Sequence, residues 1–272
     1  MDYFQLLVAF FFGILGGMLS GLLGVGGGII FVPVFDFLFY QKGIRGSELV
    51  KFTLANSFLV IFFSGIISSI KHRQHGNFHF KEILFIAIPA IVSGGFLSEI
   101  IRHSSWYNKD FFNGIFIALL LLTLVRMYIN QRSQSKFVER PFSAIKYIII
   151  GIITGAVSAF SGLGGGVVML PLLTIFMKMD IKKASSISIG VIPILALSII
   201  YVYGSGKPET ILKGSIGYLQ LIQSIPVIIG IAIGSPIGVS LAKRAKSSRL
   251  HAIFAALLIV MSIKYLIEIF VK

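Results

Sequence analysis

Charge is what this sequence has least of. Asp, Glu, Lys and Arg make up 12% of its 272 residues, about half the share of a soluble domain. Acidic residues are the scarcer sign, 10 against 24 basic, for a formal net charge of +14. There is no cysteine, which excludes a disulfide framework and a thiolate metal site. Long polar stretches are missing as well. With no sizeable soluble segment to carry a basic surface, the positive charge does not point to nucleic acid. It falls in short clusters between apolar runs, as in positive-inside anchoring and contact with anionic lipid. No nucleophile–base pair or metal-hydrolase helix is present, so an enzyme is disfavoured. Nucleotide-cofactor motifs are absent too: Gly24-Val-Gly-Gly-Gly follows no strand, and Gly204-Ser-Gly-Lys-Pro lacks the Ser or Thr after its lysine. No cofactor is expected.

What the chain does have is apolar length. Hydrophobic residues are 56% of the total, and apolar segments lie at 4–39, 49–70, 82–101, 111–129, 144–177, 184–203, 215–242 and 250–271. About 20 apolar residues cross a bilayer core, so this is an all-α polytopic membrane protein of about eight segments. The first segment follows Met1-Asp2-Tyr3-Phe4, without a basic leader or a small-x-small cleavage site, and reads as retained structure. The polar, basic stretch around 131–141 reads as a linker. It divides the chain into a first transmembrane half, 1–130, and a second, 142–272.

The halves repeat one another. Gly13–Pro33 and Gly151–Pro171 are identical at 9 of 21 positions at an offset of 138. The shared residues include Ser20/Ser158, Gly24/Gly162, Gly26-Gly27-Gly28/Gly164-Gly165-Gly166 and Pro33/Pro171. Ile115–Leu120 matches Ile253–Leu258 at the same offset. This predicts two homologous repeats of four segments. Segments 4–39 and 144–177 are too long for one span, and glycine costs about 1 kcal/mol per residue against alanine in a helix. Each is therefore expected to break at its glycines. Two geometries follow: a span plus a partial helix, with the repeats in the same orientation, or a re-entrant hairpin, with the repeats inverted. The hairpin arrangement gathers about 15 basic residues on one face against about 7 on the other, so the positive-inside rule favours it, with the linker cytoplasmic.

Irregular backbone at membrane depth must be buried in protein or line a polar cavity. Paired broken helices point to the substrate site of a secondary transporter. The helices restarting near Ile29 and Val167 offer free N–H groups and a positive dipole end, which suit an anion. Gly24, Gly26, Gly27, Gly28, Gly162, Gly164, Gly165 and Gly166 are the expected lining. Gly13-x3-Gly17-x3-Gly21 and Gly230-x3-Gly234-x3-Gly238 read instead as helix-packing faces.

The doubled Ser-x3-Gly-x-Gly-Gly-Gly-x4-Pro signature and the four-plus-four duplication resemble the TauE/SafE sulfite exporter family of bacterial membrane permeases. The small polar residues of the following helices add to the resemblance: Ala55-Asn56-Ser57 in one half, Ser185-Ser186-Ile187-Ser188 in the other. The resemblance spans the chain. It implies a cell-membrane carrier of small anions, chiefly sulfite and organosulfonates, driven by an ion gradient such as protons. Asn56, Ser57, Ser186 and Ser188 join the expected substrate-binding set. Asn56 departs from the commoner Thr-Ser pair. A passive anion channel and a non-transporting membrane subunit are the competing readings.

Few ionisable groups interrupt the apolar runs, and such groups default to functional candidates. Asp36 follows the first glycine break and is the first choice for proton coupling, with the membrane interface as the alternative. Lys51 and Lys183, near the entries of corresponding helices, either snorkel or attract the anion. Glu99 with Arg102 and Lys264 with Glu268 are spaced as local helix pairs near span ends, and Arg126 is the remaining ionisable group in an apolar run. His72, His75 and His79 read as a solvated loop, not a metal site.

Overall fold

The computed structural model describes the backbone of residues 3–74, 76–131 and 142–270, and their side chains except at 3–4, 126–131, 247, 251 and 264–270. Most of the predicted linker, His75, and the side chains of Arg126, Lys264 and Glu268 lie outside these limits. Where the sequence shows eight apolar segments, the described residues form ten α-helices, because the two over-long segments each break. The first half holds α1 (Tyr3–Leu23), α2 (Gly28–Gln41), α3 (Gly46–Gln74), α4 (Phe80–His103) and α5 (Lys109–Gln131). The second holds α6 (Ala144–Ser161), α7 (Gly166–Pro171), α8 (Ile181–Gly204), α9 (Leu221–Arg244) and α10 (Ser247–Phe270). A π-helical turn, Leu172–Phe176, continues α7. Six of these helices (α1, α3, α4, α6, α8 and α9) are long and apolar enough to cross a membrane.

Small residues decide how the helices meet. Lipid tails are as apolar as leucine, so close backbone approach does the work that water exclusion does elsewhere. The two small-residue faces predicted from the sequence pack on each other. Gly13 meets the backbone of Val227, Gly17 that of Ile231 and Gly21 that of Ser235, so α1 and α9 run parallel. In return, a Cβ on Gly230, Gly234 or Gly238 would fall 2.0–2.2 Å from the carbonyl oxygen of Phe10, Ile14 or Met18. Helices α6 and α4 run parallel in the same way, with Gly151 against Ile86 and Gly155 against Ala90. Between these pairs α3 and α8 cross antiparallel: Gly65 abuts Pro193, and Ser69 Oγ donates to Ile189 O at 3.1 Å. The outward faces of α9 (Ile225, Ile229, Ile233, Ile237, Leu241) and α4 (Leu84, Ile88, Val92, Phe96, Ile100) leave large apolar side chains uncovered at every fourth residue.

One part of the predicted segment 215–242 is not helix. Ser215 pairs with Gln220 and Ile216 with Leu219 in a short antiparallel hairpin, and α9 starts only at Leu221. Gly217 turns it at φ 57°, where a Cβ would lie 2.4 Å from Gly204 O. Asn56 holds this hairpin to α3. Its Nδ2 donates to Phe52 O (2.8 Å) and Tyr218 O (2.9 Å), while its Oδ1 accepts from Gln220 N (2.7 Å) and Ser224 Oγ (3.0 Å). Replacing Asn56 with alanine orphans several buried polar groups at about 1–3 kcal/mol each. The denaturation midpoint in detergent is expected to fall by about 5–10 °C. An unchanged midpoint would refute the clasp.

The contacts also fix where each broken helix goes. Helix α1 starts beside the start of α9, and α2 leads through a short turn to the start of α3, where Asn56 again meets the start of α9. So α1 and α2 enter from and return to one end, the Asn56 end. The start of α6 lies by the start of α4, with Phe142 edge-to-face against Phe85 and its ring beneath the Lys81 ammonium. The turn after α7 leads to the start of α8, where Asn77 Nδ2 donates to Lys182 O at 3.3 Å. This second hairpin belongs to the opposite, His72 end.

Candidate functional site

The tips of the two hairpins meet. A Cβ on Gly28 would sit 2.7 Å from the backbone of Leu163, and one on Gly166 would sit 2.5 Å from Cα of Val25. Both breaks use left-handed backbone at matching positions: Gly24, Gly26 and Gly27 at φ 78°, 76° and 77°, and Gly162, Gly164 and Gly165 at 69°, 71° and 77°. Only glycine takes such angles without cost. The first helix of each hairpin closes with Gly24 N donating to Ser20 O and Gly162 N to Ser158 O. The second restarts with Ile30 and Phe31 donating to Gly27 O, and Val168 and Met169 to Gly165 O.

What lies between is polar and unpaired. The N–H groups of Val25, Gly26, Gly27, Gly164 and Gly165 meet no acceptor among the described residues, and residues 21–30 and 161–167 are all buried. Buried N–H groups without a partner are rare in folded proteins, because each forfeits its hydration for nothing. Here five are grouped at two touching tips.

Helices α3 and α8 bring hydroxyls to the same place. Ile61 lies 3.4 and 2.9 Å from Cβ positions on Gly26 and Gly164, and Ile192 lies 3.0 Å from that on Gly26. One turn earlier on those faces stand Ser57 and Ser188, both fully buried, with hydroxyls that have no partner. Thr53, a further turn back, and Ser185, against Gly24, are in the same condition. Thr53 and Ser185 stand outside the expected binding set, although Ser185 belongs to the polar run of the resemblance and each is one turn from a serine in that set. A cavity of about 110 Å³ touches Ser185 and is also lined by His72, Asn77, Lys182 and Lys243. His72 is thus buried in the last turn of α3, not solvated as the sequence suggested.

The structure does not bring every nominated residue to the tips. Asn56 is occupied by the hairpin clasp. Ser186 Oγ donates to Asn77 O, which ties the loop after α3 to α8. Asp36 is buried on α2 in an ion pair with Lys109 at 3.1 Å. Lys183 lies at the His72 end, 4.0 Å from Glu82, and Lys51 stands half-buried near the start of α3. Glu99 bonds Arg102 and, at 3.1 Å, His103, so the local pair forms.

The fold is that of a multi-pass helical membrane protein with two broken helices meeting inside it. Residues 9–265 match the sulfite exporter TauE/SafE family, and the chain belongs to that family. It is 29% identical over 254 residues to a probable membrane transporter protein of Methanocaldococcus jannaschii, covering 92% of this chain and 91% of the relative. A probable membrane transporter protein of Haemophilus influenzae is 27% identical over 274 residues, covering 97% and 98%. The probable membrane transporter protein YunE of Bacillus subtilis is 23% identical over 276 residues, covering 94% and 95%. No solved structure matches the chain significantly.

Proposed function

We propose that this protein is a secondary carrier of a small anion, with sulfite and organosulfonates the first solutes to test. The observation that carries the reading is the cluster of five unpaired, buried N–H groups at the two tips, beside the unpaired hydroxyls of Ser57 and Ser188. An oxyanion accepts from such donors without a buried lysine or arginine, and helix restarts add positive dipole ends. The C-terminal ends of α1 and α6 close at the same tips, and their carbonyls suit a coupling cation.

The halves 1–130 and 142–272 are read as inverted repeats, one hairpin entering from each end. Alternating access is then a rocking of one repeat against the other about the meeting tips. The cavity reaching Ser185 is the path to the His72 end, which the basic loops mark as cytoplasmic in a bacterial plasma membrane. Gly162, the counterpart of Gly24, meets Leu54 where Gly24 meets Ser185, and Leu54 offers no hydroxyl toward the Asn56 end.

The test is flux of radiolabelled sulfite and a short alkyl sulfonate into proteoliposomes, with and without an imposed pH gradient. Uptake above the external concentration, dependent on the gradient, is expected. Flux that only equilibrates would make the protein a channel, and no flux of any small anion would end the carrier reading. Asp36→Asn separates that residue's two roles. Lost gradient dependence in a folded variant assigns it the proton, whereas loss of folded protein makes it only the counter-ion of Lys109.

A further inference from the structure

We propose that the groove between α3 and α9 at the His72 end binds an acidic phospholipid through its phosphate. The groove encloses about 320 Å³ and is lined by Lys71 of α3 and by Pro236, Ile237, Ser240, Leu241 and Arg244 of α9. The five α9 residues form one stripe, since positions i, i+1, i+4, i+5 and i+8 share a helix face. Two cations therefore sit at the mouth of a cavity whose other walls are mostly apolar. Neither Lys71 nor Arg244 has an acidic partner among the described residues.

Below the cations the surface suits acyl chains. Ile225, Ile229, Ile233, Ile237 and Leu241 form a ridge, each 45–53% exposed, that runs along α9 and ends in the groove. A lone interfacial lysine or arginine needs no specific ligand, because it snorkels into any headgroup layer. Two in one concave site, continuous with an apolar ridge, match a phosphodiester on its acyl chains. The pair favours a net anionic headgroup over a zwitterionic one, whose own cation would be brought against Lys71 and Arg244. Ser240 Oγ donates to Pro236 O at 2.8 Å, so Lys71 and Arg244 supply the groove's free donors.

The test uses the full chain purified in a neutral detergent. Phosphatidylglycerol, phosphatidylcholine or inorganic phosphate is titrated in, the denaturation midpoint is followed, and retained lipid is counted by native mass spectrometry. Phosphatidylglycerol is expected to raise the midpoint saturably and to be retained, with neither effect from phosphatidylcholine or inorganic phosphate. Lys71→Gln and Arg244→Gln should each raise the half-saturating concentration about fivefold, and the double variant about 25-fold. The single variants decide if the double variant does not purify. Lys246→Gln, at the same end but outside the groove, should leave the titration unchanged. An equal response in the groove variants, an equal shift from Lys246→Gln, or equal stabilisation by phosphatidylcholine would overturn the site. Stabilisation by inorganic phosphate alone, lost in the same variants, would make it a free-phosphate site and overturn the lipid reading.

Discussion

Gly166→Ala is expected to abolish anion flux in proteoliposomes while the chain still inserts and can be purified. Its Cβ would lie 2.5 and 2.7 Å from Cα and C of Val25 and 2.8 Å from Gly24 O. All three are backbone atoms of the opposite break, so no side chain can turn away and the tips must part. Overpacking of this kind costs about 1–3 kcal/mol, equivalent to about 5- to 150-fold in an equilibrium. The donors come from both tips, so parting them dismantles the cluster. Gly28→Ala should act alike, since its Cβ meets Leu163 backbone atoms at 2.7 Å. Gly114→Ala is the control, because a Cβ there meets nothing within 4 Å. Normal flux in both tip variants, measured on the solute the uptake screen identifies, would show that the contact between the breaks is not part of the carrier.

Ser57→Ala with Ser188→Ala is expected to separate transport from stability in the other direction. Each hydroxyl is buried and makes no hydrogen bond to another described residue, so its removal breaks none. A buried hydroxyl without a partner costs about 1–3 kcal/mol. The denaturation midpoint of the ligand-free variant should therefore hold or rise by a few degrees. On the proposed carrier reading each hydroxyl would donate to the bound anion, a bond that contributes about 1.5–3 kcal/mol. Half-saturation should rise at least about tenfold for each single variant and about 100-fold for the double. This pattern is opposite to that expected for Asn56→Ala, which should lose stability. Unchanged half-saturation in the double variant would remove the serines from the site, and a lowered midpoint would make them structural.

These two outcomes rest on residues that the sequence exposed to different degrees. The breaks were legible because consecutive glycines disfavour helix locally, whatever surrounds them. The packing faces of α1 and α9 were legible through small residues at every fourth position. That the two faces meet each other was not, since Gly13 and Val227 are joined only by the fold. Asn56 shows the limit plainly. A lone amide in an apolar helix signals that something polar must meet it, and the sequence reading supplied a substrate. The partner is the hairpin at Tyr218 and Gln220, hidden inside a run that reads as helix. His72 failed for a related reason: its polar neighbours suggested a loop, but α3 extends to Gln74 and turns the ring inward. Ser57 and Ser188 could be nominated as polar residues on apolar helices. Only the structure distinguishes them from Ser186, whose hydroxyl is already used by Asn77.

The sequence alone determined the membrane class, the recurrence of the glycine motif, the two helix breaks and the family resemblance. Each depends on composition, on short-range backbone preference or on comparison of the chain with itself. Tertiary structure decided that the hairpins enter from opposite ends and touch at their tips. It also decided which buried polar groups are paired and which are left open, and that Lys71 and Arg244 share a groove. Those outcomes depend on contacts between residues far apart in the sequence, where no local preference acts and close packing of glycine-bearing helices sets the register.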